Sequence, residues 1–361
     1  MGPIVACICK DPGGTNGVLP VIKELRAQFL EALPVANGKA VEILNASKTP
    51  FFHAPNPEDL LAWFDLCAVL TSMCSEGGTG RNLIPLLKDK TKHGQRIPVI
   101  ALQDFWGGRL WTEWADPKFR PDYICVNDQI GADIVLRAWP DFQKENVLIT
   151  GFPAMDKYVH VDIVNTKLAV KSTLGLSEDR PLVFYAGQIE REGELINEVV
   201  KVLNEINSDI YFLPRQHPRM KNNAPEELPK WDSALANFRG GILIDSSPCD
   251  TPSVTMAADL VMSTFSTVNV EATCLRKNNI SILYPELGMQ LFKKELPQLN
   301  ESPLVELGCS AKATDREELT DLIEKSLANV NGLGLQEAQE QHFPLDGRNA
   351  QRVAEFIHTI L

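Results

Sequence analysis

The sequence predicts an α/β protein made of two Rossmann-like, doubly wound domains facing across a cleft. Three observations carry this expectation. Short apolar runs alternate with helical stretches along the whole chain, the pattern of a parallel sheet covered on both faces. That pattern restarts after "TGFPAMDKYVHVD" (Thr150–Asp162), where glycine and proline interrupt it. The length of 361 residues exceeds one ordinary core and suits two.

In chain order, strands are expected at Ile4–Cys9, Ala40–Leu44, Leu66–Thr71, Val99–Leu102, Tyr123–Val126 and Val147–Thr150. Between them lie helical stretches at Val18–Leu33, Pro57–Trp63, Asn82–Asp89 and Gln129–Ala138. Pro57, followed by Glu58 and Asp59, fits the proline and acids favoured in a first helical turn. The second half opens with "RPLVFYAGQ" (Arg180–Gln188), a strand ending at Gly187, and the amphipathic helix Glu192–Ile206 follows. Strands at Ile210–Pro214, Gly241–Asp245 and Ala257–Thr264 come next, then the helix Val268–Leu275 and a last clear strand at Asn278–Pro285. The terminal Asp346–Leu361 carries Val353, Phe356, Ile357 and Ile360 on one helical stripe. These limits give domains at 1–155 and 156–345, with 346–361 as a closing helix. In doubly wound sheets a ligand is expected at the strand carboxyl ends.

Composition narrows the function. A net charge of −12 argues against a nucleic-acid partner, because phosphate backbones need clustered Lys and Arg. "KDKTKHGQR" (Lys88–Arg96) is the basic exception and reads as a solvated helix end, with a face for peripheral membrane contact as the second reading. Met1–Cys9 has no basic leader or cleavage site, and no stretch reaches the roughly 20 apolar residues that span a bilayer. The eight cysteines are scattered without zinc-like spacing and read as reduced thiols. Together these predict a cytoplasmic protein, with the inner membrane face as a docking alternative. Sequence gives no handle on oligomeric state.

Three loops of the first half could carry chemistry. "KDPGGTNG" (Lys10–Gly17) sits between a strand and a helix. Its glycines match neither the P-loop nor Gly-x-Gly-x-x-Gly. Asp11 is placed as a base, with Gly13, Gly14, Thr15 and Asn16 forming an acceptor-side loop; alternatively Asp11 and Asn16 only cap the turn. Glu76 in "TSMCSEGGTGRN" and Asp104 in "ALQDFWGGRLWTEW" are further candidate acids or bases. Trp106 lies beside Asp104 as a surface for a sugar ring, or as part of a hydrophobic cluster.

The second half carries the stronger signals. "YFLPRQHPR" (Tyr211–Arg219) sets Arg215, His217 and Arg219 after a strand, a grouping suited to phosphate. "DLVMSTFSTVNVEA" (Asp259–Ala272) follows a strand with Ser263, Thr264, Ser266 and Thr267 at a helix start, where phosphate can bind. Glu271 lies one turn further, placed to accept ribose hydroxyls. Gly187 and Gln188, at the end of the half's first strand, complete the nucleotide side.

These motifs resemble the GT-B-fold class, which holds nucleotide-sugar glycosyltransferases, UDP-N-acetylglucosamine 2-epimerases and glycerophosphate transferases of wall-polymer synthesis. "VLITGFPAMD" is similar to the Thr-Gly-Asn-Pro-x-x-Asp junction of these families, and "RQHPR" and "DLVMSTFSTVNVEA" are similar to the His-Pro and Ser/Thr motifs of bacterial transferases. The resemblance implies that His217, Ser266 and Thr267 meet the donor phosphate, that Glu271 binds ribose, and that the last helix returns to the first domain. No Asp-x-Asp element is present. The first loop and "STFST" depart from the epimerase pattern and favour a transferase. The expectation is therefore a metal-independent, inverting glycosyltransferase. It uses no cofactor and takes a UDP- or CMP/CDP-type sugar nucleotide as donor and a glycan or lipid-linked acceptor. The alternatives are an epimerase or hydrolase, a CDP-glycerol-type glycerophosphotransferase, and a two-lobed binding protein.

Overall fold

The structure is a computed structural model and describes residues 4–53, 56–73, 78–88, 90–92, 95–103, 105–106, 108–206, 209–245, 247–329 and 331–361. The chain divides into two units, 1–159 with 346–361, and 160–345.

The first unit is built on six parallel strands: β1 (Ile4–Cys9), β2 (Glu31–Ala36), β3 (Leu66–Ser72), β4 (Val99–Leu102), β5 (Tyr123–Val126) and β6 (Val147–Ile149), in the order β2-β1-β3-β4-β5-β6. β1 is buried throughout, as an apolar run covered on both faces must be. The helix Pro12–Ala27 covers one face with Val18, Val21, Ile22 and Leu25, and the helix Asn349–Ile360 joins the same core through Val353, Ala354 and Ile357.

Two expectations fail here for one reason. Helix Val18–Leu33 and strand Ala40–Leu44 are replaced by a helix ending at Ala27, strand β2 at Glu31–Ala36, and a helix at Ala40–Ala46. The stop is a Schellman turn: Phe29 N–H donates to the Arg26 carbonyl at 3.1 Å and Leu30 N–H to that of Leu25 at 3.0 Å. Glycine usually takes the left-handed position of such a turn. Phe29 takes it here, with φ 62°, so the stop signal is absent from the sequence. Pro34 stays compatible with a strand because β2 is the edge of the six-stranded sheet. Among the described residues its outer side carries just an isolated bridge, in which Phe52 N–H donates to the Pro34 carbonyl at 2.8 Å and Ala36 N–H donates to the Phe52 carbonyl at 2.9 Å. The "DPGGTN" segment is likewise not an open loop. Asp11 is the N-cap, and Pro12 through Asn16 already form the first helical turns.

The junction is knitted by its own motif. Gly151 has φ 83°, and a Cβ there would lie 1.9 Å from Asn349 Oδ1. Asp156 accepts from Asn349 Nδ2 at 2.7 Å and from the Ala350 N–H at 2.8 Å. Its carboxylate thus caps a helix whose own N-cap, Arg348, offers no side-chain bond.

The second unit has strands β7 (Leu182–Ala186), β8 (Ile210–Arg215), β9 (Gly241–Leu243), β10 (Leu260–Ser263), β11 (Asn278–Ile282) and β12 (Ala311–Ala313), ordered β9-β8-β7-β10-β11-β12 and all parallel. This is the dinucleotide-binding order, with its switch point between β7 and β10. Along β7, Val183 and Tyr185 face the core under the helix Glu192–Ile206, while Leu182, Phe184 and Ala186 face the opposite core. β12, only three residues long, extends the sheet beyond the expected last strand. Among the described residues no helix is long and apolar enough to cross a membrane.

Candidate active site

At the switch point of the second unit, the segments after β7 and β10 are tied together by Gln188. Its Nε2 donates to the Phe265 carbonyl at 2.9 Å and to Ser263 Oγ at 3.3 Å, and Ser263 Oγ donates to the Ala186 carbonyl at 2.7 Å. Gly187 is held against β8, its N–H donating to the Arg215 carbonyl at 2.9 Å. A Cβ at Gly187 would come within 2.9 Å of the Trp231 ring, so the close approach excludes a side chain. Gln188, Thr264, Phe265, Leu291 and Lys294 line a half-open pocket of ≈ 460 Å³, counted out to its open mouth. The Thr264 hydroxyl is buried without a hydrogen-bond partner among the described residues, a polar group for a ligand to satisfy.

Beneath this pocket lies a pair that the sequence did not single out. Glu192 is fully buried and accepts from the Tyr185 hydroxyl and from the Gln188 N–H, the latter at 2.6 Å. Burial lifts its carboxyl to about 7 despite those two donors, and the nearby Glu227 adds to the rise. Glu227 itself accepts the Gly193 N–H at 2.8 Å, so the start of the helix Glu192–Ile206 is already served by carboxylates. The other helix start, at Thr267, is capped by Ser266, whose Oγ accepts from Val268 N–H at 3.2 Å. Glu271 follows one turn later and is partly buried.

The "RQHPR" segment follows β8, on the far side of β7 from β10. The Arg215 guanidinium donates to Thr251 Oγ1 at 2.8 Å and to the Cys249 carbonyl at 2.6 Å. His217 Nδ1 accepts the Arg219 N–H at 3.1 Å, which leaves the ring proton on Nε2. Burial, with Arg219 beside it, holds the imidazole below its ordinary pKa, which favours the neutral ring. Arg219 is exposed. None of Arg215, His217, Arg219, Ser266, Thr267 or Glu271 lines the pocket at Gln188.

In the first unit, Asp11 Oδ1 accepts the Gly14 N–H at 2.9 Å, and Thr15 Oγ1 donates to the Asp11 carbonyl at 2.5 Å. Gly14 packs so tightly on β3 that a Cβ would fall 1.9 Å from Ser72 Oγ. Gly13 is partly exposed and Asn16 exposed. Ser72 Oγ and both polar atoms of Gln103, at the carboxyl ends of β3 and β4, are buried without hydrogen-bond partners among the described residues, and the sequence reading missed them. Glu76 and Asp104 lie outside the described residues. Trp106 is fully buried and its indole donates to Asp128 Oδ2 at 2.8 Å, so no face of that ring is offered to a sugar. In the basic segment, Lys88 donates to the Pro117 carbonyl and Arg96 pairs with Asp122, both within the unit.

A family model described as CDP-Glycerol:Poly(glycerophosphate) glycerophosphotransferase matches residues 112–359. No curated protein matches the sequence. Among solved structures, UDP-GlcNAc 2-epimerase from Neisseria meningitidis bound to UDP-GlcNAc is similar at 14% identity and TM-score 0.72, over 99% of this chain and 100% of that one. The UDP-GlcNAc 2-epimerase from Methanocaldococcus jannaschii is similar at 14% identity and TM-score 0.65, over 99% of each chain. The wall teichoic acid polymerase TagF is similar at 17% identity and TM-score 0.59, over 99% of this chain and 88% of that one. Identities this low speak for the fold alone, and the fold they share is the two-Rossmann, GT-B-like one.

Proposed function

The chain belongs to the CDP-glycerol:poly(glycerophosphate) glycerophosphotransferase family, and from this we propose that it moves a nucleotide-activated group onto an acceptor hydroxyl, with CDP-glycerol as the first donor to test. The observation that carries the reading is the Gln188–Phe265 bridge at the switch point, which shapes a pocket with an unsatisfied Thr264 hydroxyl where doubly wound sheets bind nucleotides.

The chemistry follows from the groups at hand. In glycerophosphate transfer the acceptor oxygen bonds to the glycerol-bearing phosphorus, and the bond from that phosphorus to the bridging oxygen breaks. CMP leaves with the electron pair, and the acceptor proton passes to a base. His217 Nε2–H, Arg215 and the Ser266–Thr267 helix start suit the negative charge that grows on the phosphates. Glu271 is proposed for the ribose hydroxyls, and Asp11 remains the first candidate for the base.

A glycosyl-transfer reading uses the same donor contacts but breaks the bond at the sugar carbon, releasing a nucleoside diphosphate. Incubation with CDP-glycerol and with UDP-GlcNAc, each with and without a polyol-phosphate acceptor, separates these readings by the nucleotide formed. CMP supports phosphotransfer, UDP supports glycosyl transfer, and an altered sugar without acceptor supports epimerisation. Absence of any product and of any nucleotide-induced stabilisation sinks the proposal.

A further inference from the structure

The amino-terminal ends of β7, β10 and β11 frame a second cavity of ≈ 800 Å³, at the opposite edge of the sheet from Gln188 and Thr264. Its lining includes Arg180, Asp259, Arg276, Lys277 and Ser326.

The charges there are unevenly matched. Asp259 is committed, accepting the Leu182 N–H at 2.9 Å and pairing with Lys167. Arg180 pairs with Asp209 at 2.7 Å and lies over the Tyr211 ring. Arg276, by contrast, gives its guanidinium to the main-chain carbonyls of Thr273, Cys274 and Phe343 and meets no carboxylate among the described residues. The neighbouring Lys277 ammonium has no hydrogen bond or ion pair among the described residues. Burial, with Lys167 adding to it and Asp259 opposing it, pushes its pKa down to about 8. Ser326, at 5% exposure, carries a buried hydroxyl with no partner among the described residues.

An ammonium with no ion pair and a buried hydroxyl with no partner among the described residues thus line the same cavity, an unfavourable arrangement that an anionic ligand would relieve. Two adjacent cations lacking carboxylates match a dianion better than a single carboxylate. Glu178 and Asp179 also line the cavity, which disfavours a polyanion and favours a ligand with one anionic end and an uncharged body.

We propose that this cavity is a second ligand site, distinct from the donor pocket, that binds a phosphate monoester or free phosphate through Lys277, Arg276 and Ser326. The test is thermal unfolding of the full chain in inorganic phosphate and, in a parallel arm, in glycerol phosphate. Both arms are compared with sodium chloride at matched ionic strength. A phosphate-dependent rise in Tm is expected in the wild type and in Arg215→Ala. It is absent in Lys277→Met and weakened in Ser326→Ala. Without phosphate, Lys277→Met melts no lower than the wild type, because an uncompensated buried charge has been removed. Should Lys277→Met not fold, Ser326→Ala and Lys277→Gln decide in its place. A larger rise with the ester than with free phosphate identifies the body of the ligand as part of the recognition. No rise in the wild type, a rise that survives in Lys277→Met, or one lost in Arg215→Ala overturns the proposal. The last outcome assigns phosphate to the donor side instead, and leaves the proposed function standing.

Discussion

Gln188 Nε2 and the Phe265 main-chain carbonyl are 2.9 Å apart, and this one bond joins the loops that leave the two strands flanking the switch point. A main-chain acceptor makes the link insensitive to the side chain at position 265 but dependent on the amide at position 188. Gln188→Ala is therefore expected to raise the KM for the donor about tenfold, the size of one good hydrogen bond, while Tm moves little. Steady-state kinetics beside a melting curve checks both parts; an unchanged KM removes the bridge from donor binding.

Glu192 gives a pH signature with a defined sign. Its folded pKa, about 7, stands above the ordinary carboxyl value of 4.5, so its contribution is greatest when protonated and is lost as pH rises through 7. The difference corresponds to about 3 kcal/mol. Glu192→Gln is expected to gain on the wild type as pH rises from about 5 to about 8. Denaturant unfolding at the two pH values measures this, and a constant difference contradicts the assignment.

Asp11 can be tested as cap and as base separately. Asn accepts the Gly14 N–H as Asp does, so Asp11→Asn should keep stability within about 0.5 kcal/mol, whereas Asp11→Ala loses about 1 kcal/mol. If Asp11 is also the base, Asp11→Asn abolishes transfer while nucleotide binding persists. Retained turnover in that variant moves the role to Asp104 or Glu76.

Gly14→Ala places a methyl where Ser72 Oγ already stands, at 1.9 Å in the unrelaxed structure. Overpacking of this kind costs about 1–3 kcal/mol. The paired change Gly14→Ala with Ser72→Gly, which removes both Ser72 Oγ and the Ser72 Cβ at 2.5 Å, should recover much of the loss, and a double-mutant cycle reads the coupling.

Asp156→Ala removes the acceptor for Asn349 and for the Ala350 N–H together, and should destabilise the first unit by about 2 kcal/mol. Hydrogen exchange along 349–353 is expected to accelerate in this variant beyond the rest of the unit.

The fold was largely legible, because β1, β4, β5 and the helix Glu192–Ile206 announce themselves by period and composition. The end of the first long helix was not, because Phe29 occupies a backbone conformation that the eye assigns to glycine. At the candidate site, Gln188, Ser263 and Ser266 were visible as polar residues after strands. Glu192 was not, since one acid at the start of an amphipathic helix looks solvated until its burial against Tyr185 is seen. Bonds to main-chain atoms, such as Phe265 O, leave no mark in the sequence at all.

The helix Asn349–Ile360 belongs to the core of the first unit although 186 residues of the second unit (160 to 345 inclusive) separate them in the chain. During synthesis the first unit therefore waits, with an apolar face uncovered, until the second has been translated. Its closure follows the emergence of residues 349–360 from the ribosome. A chain arrested before residue 349 leaves uncovered the face that Val353, Ala354 and Ile357 would otherwise bury.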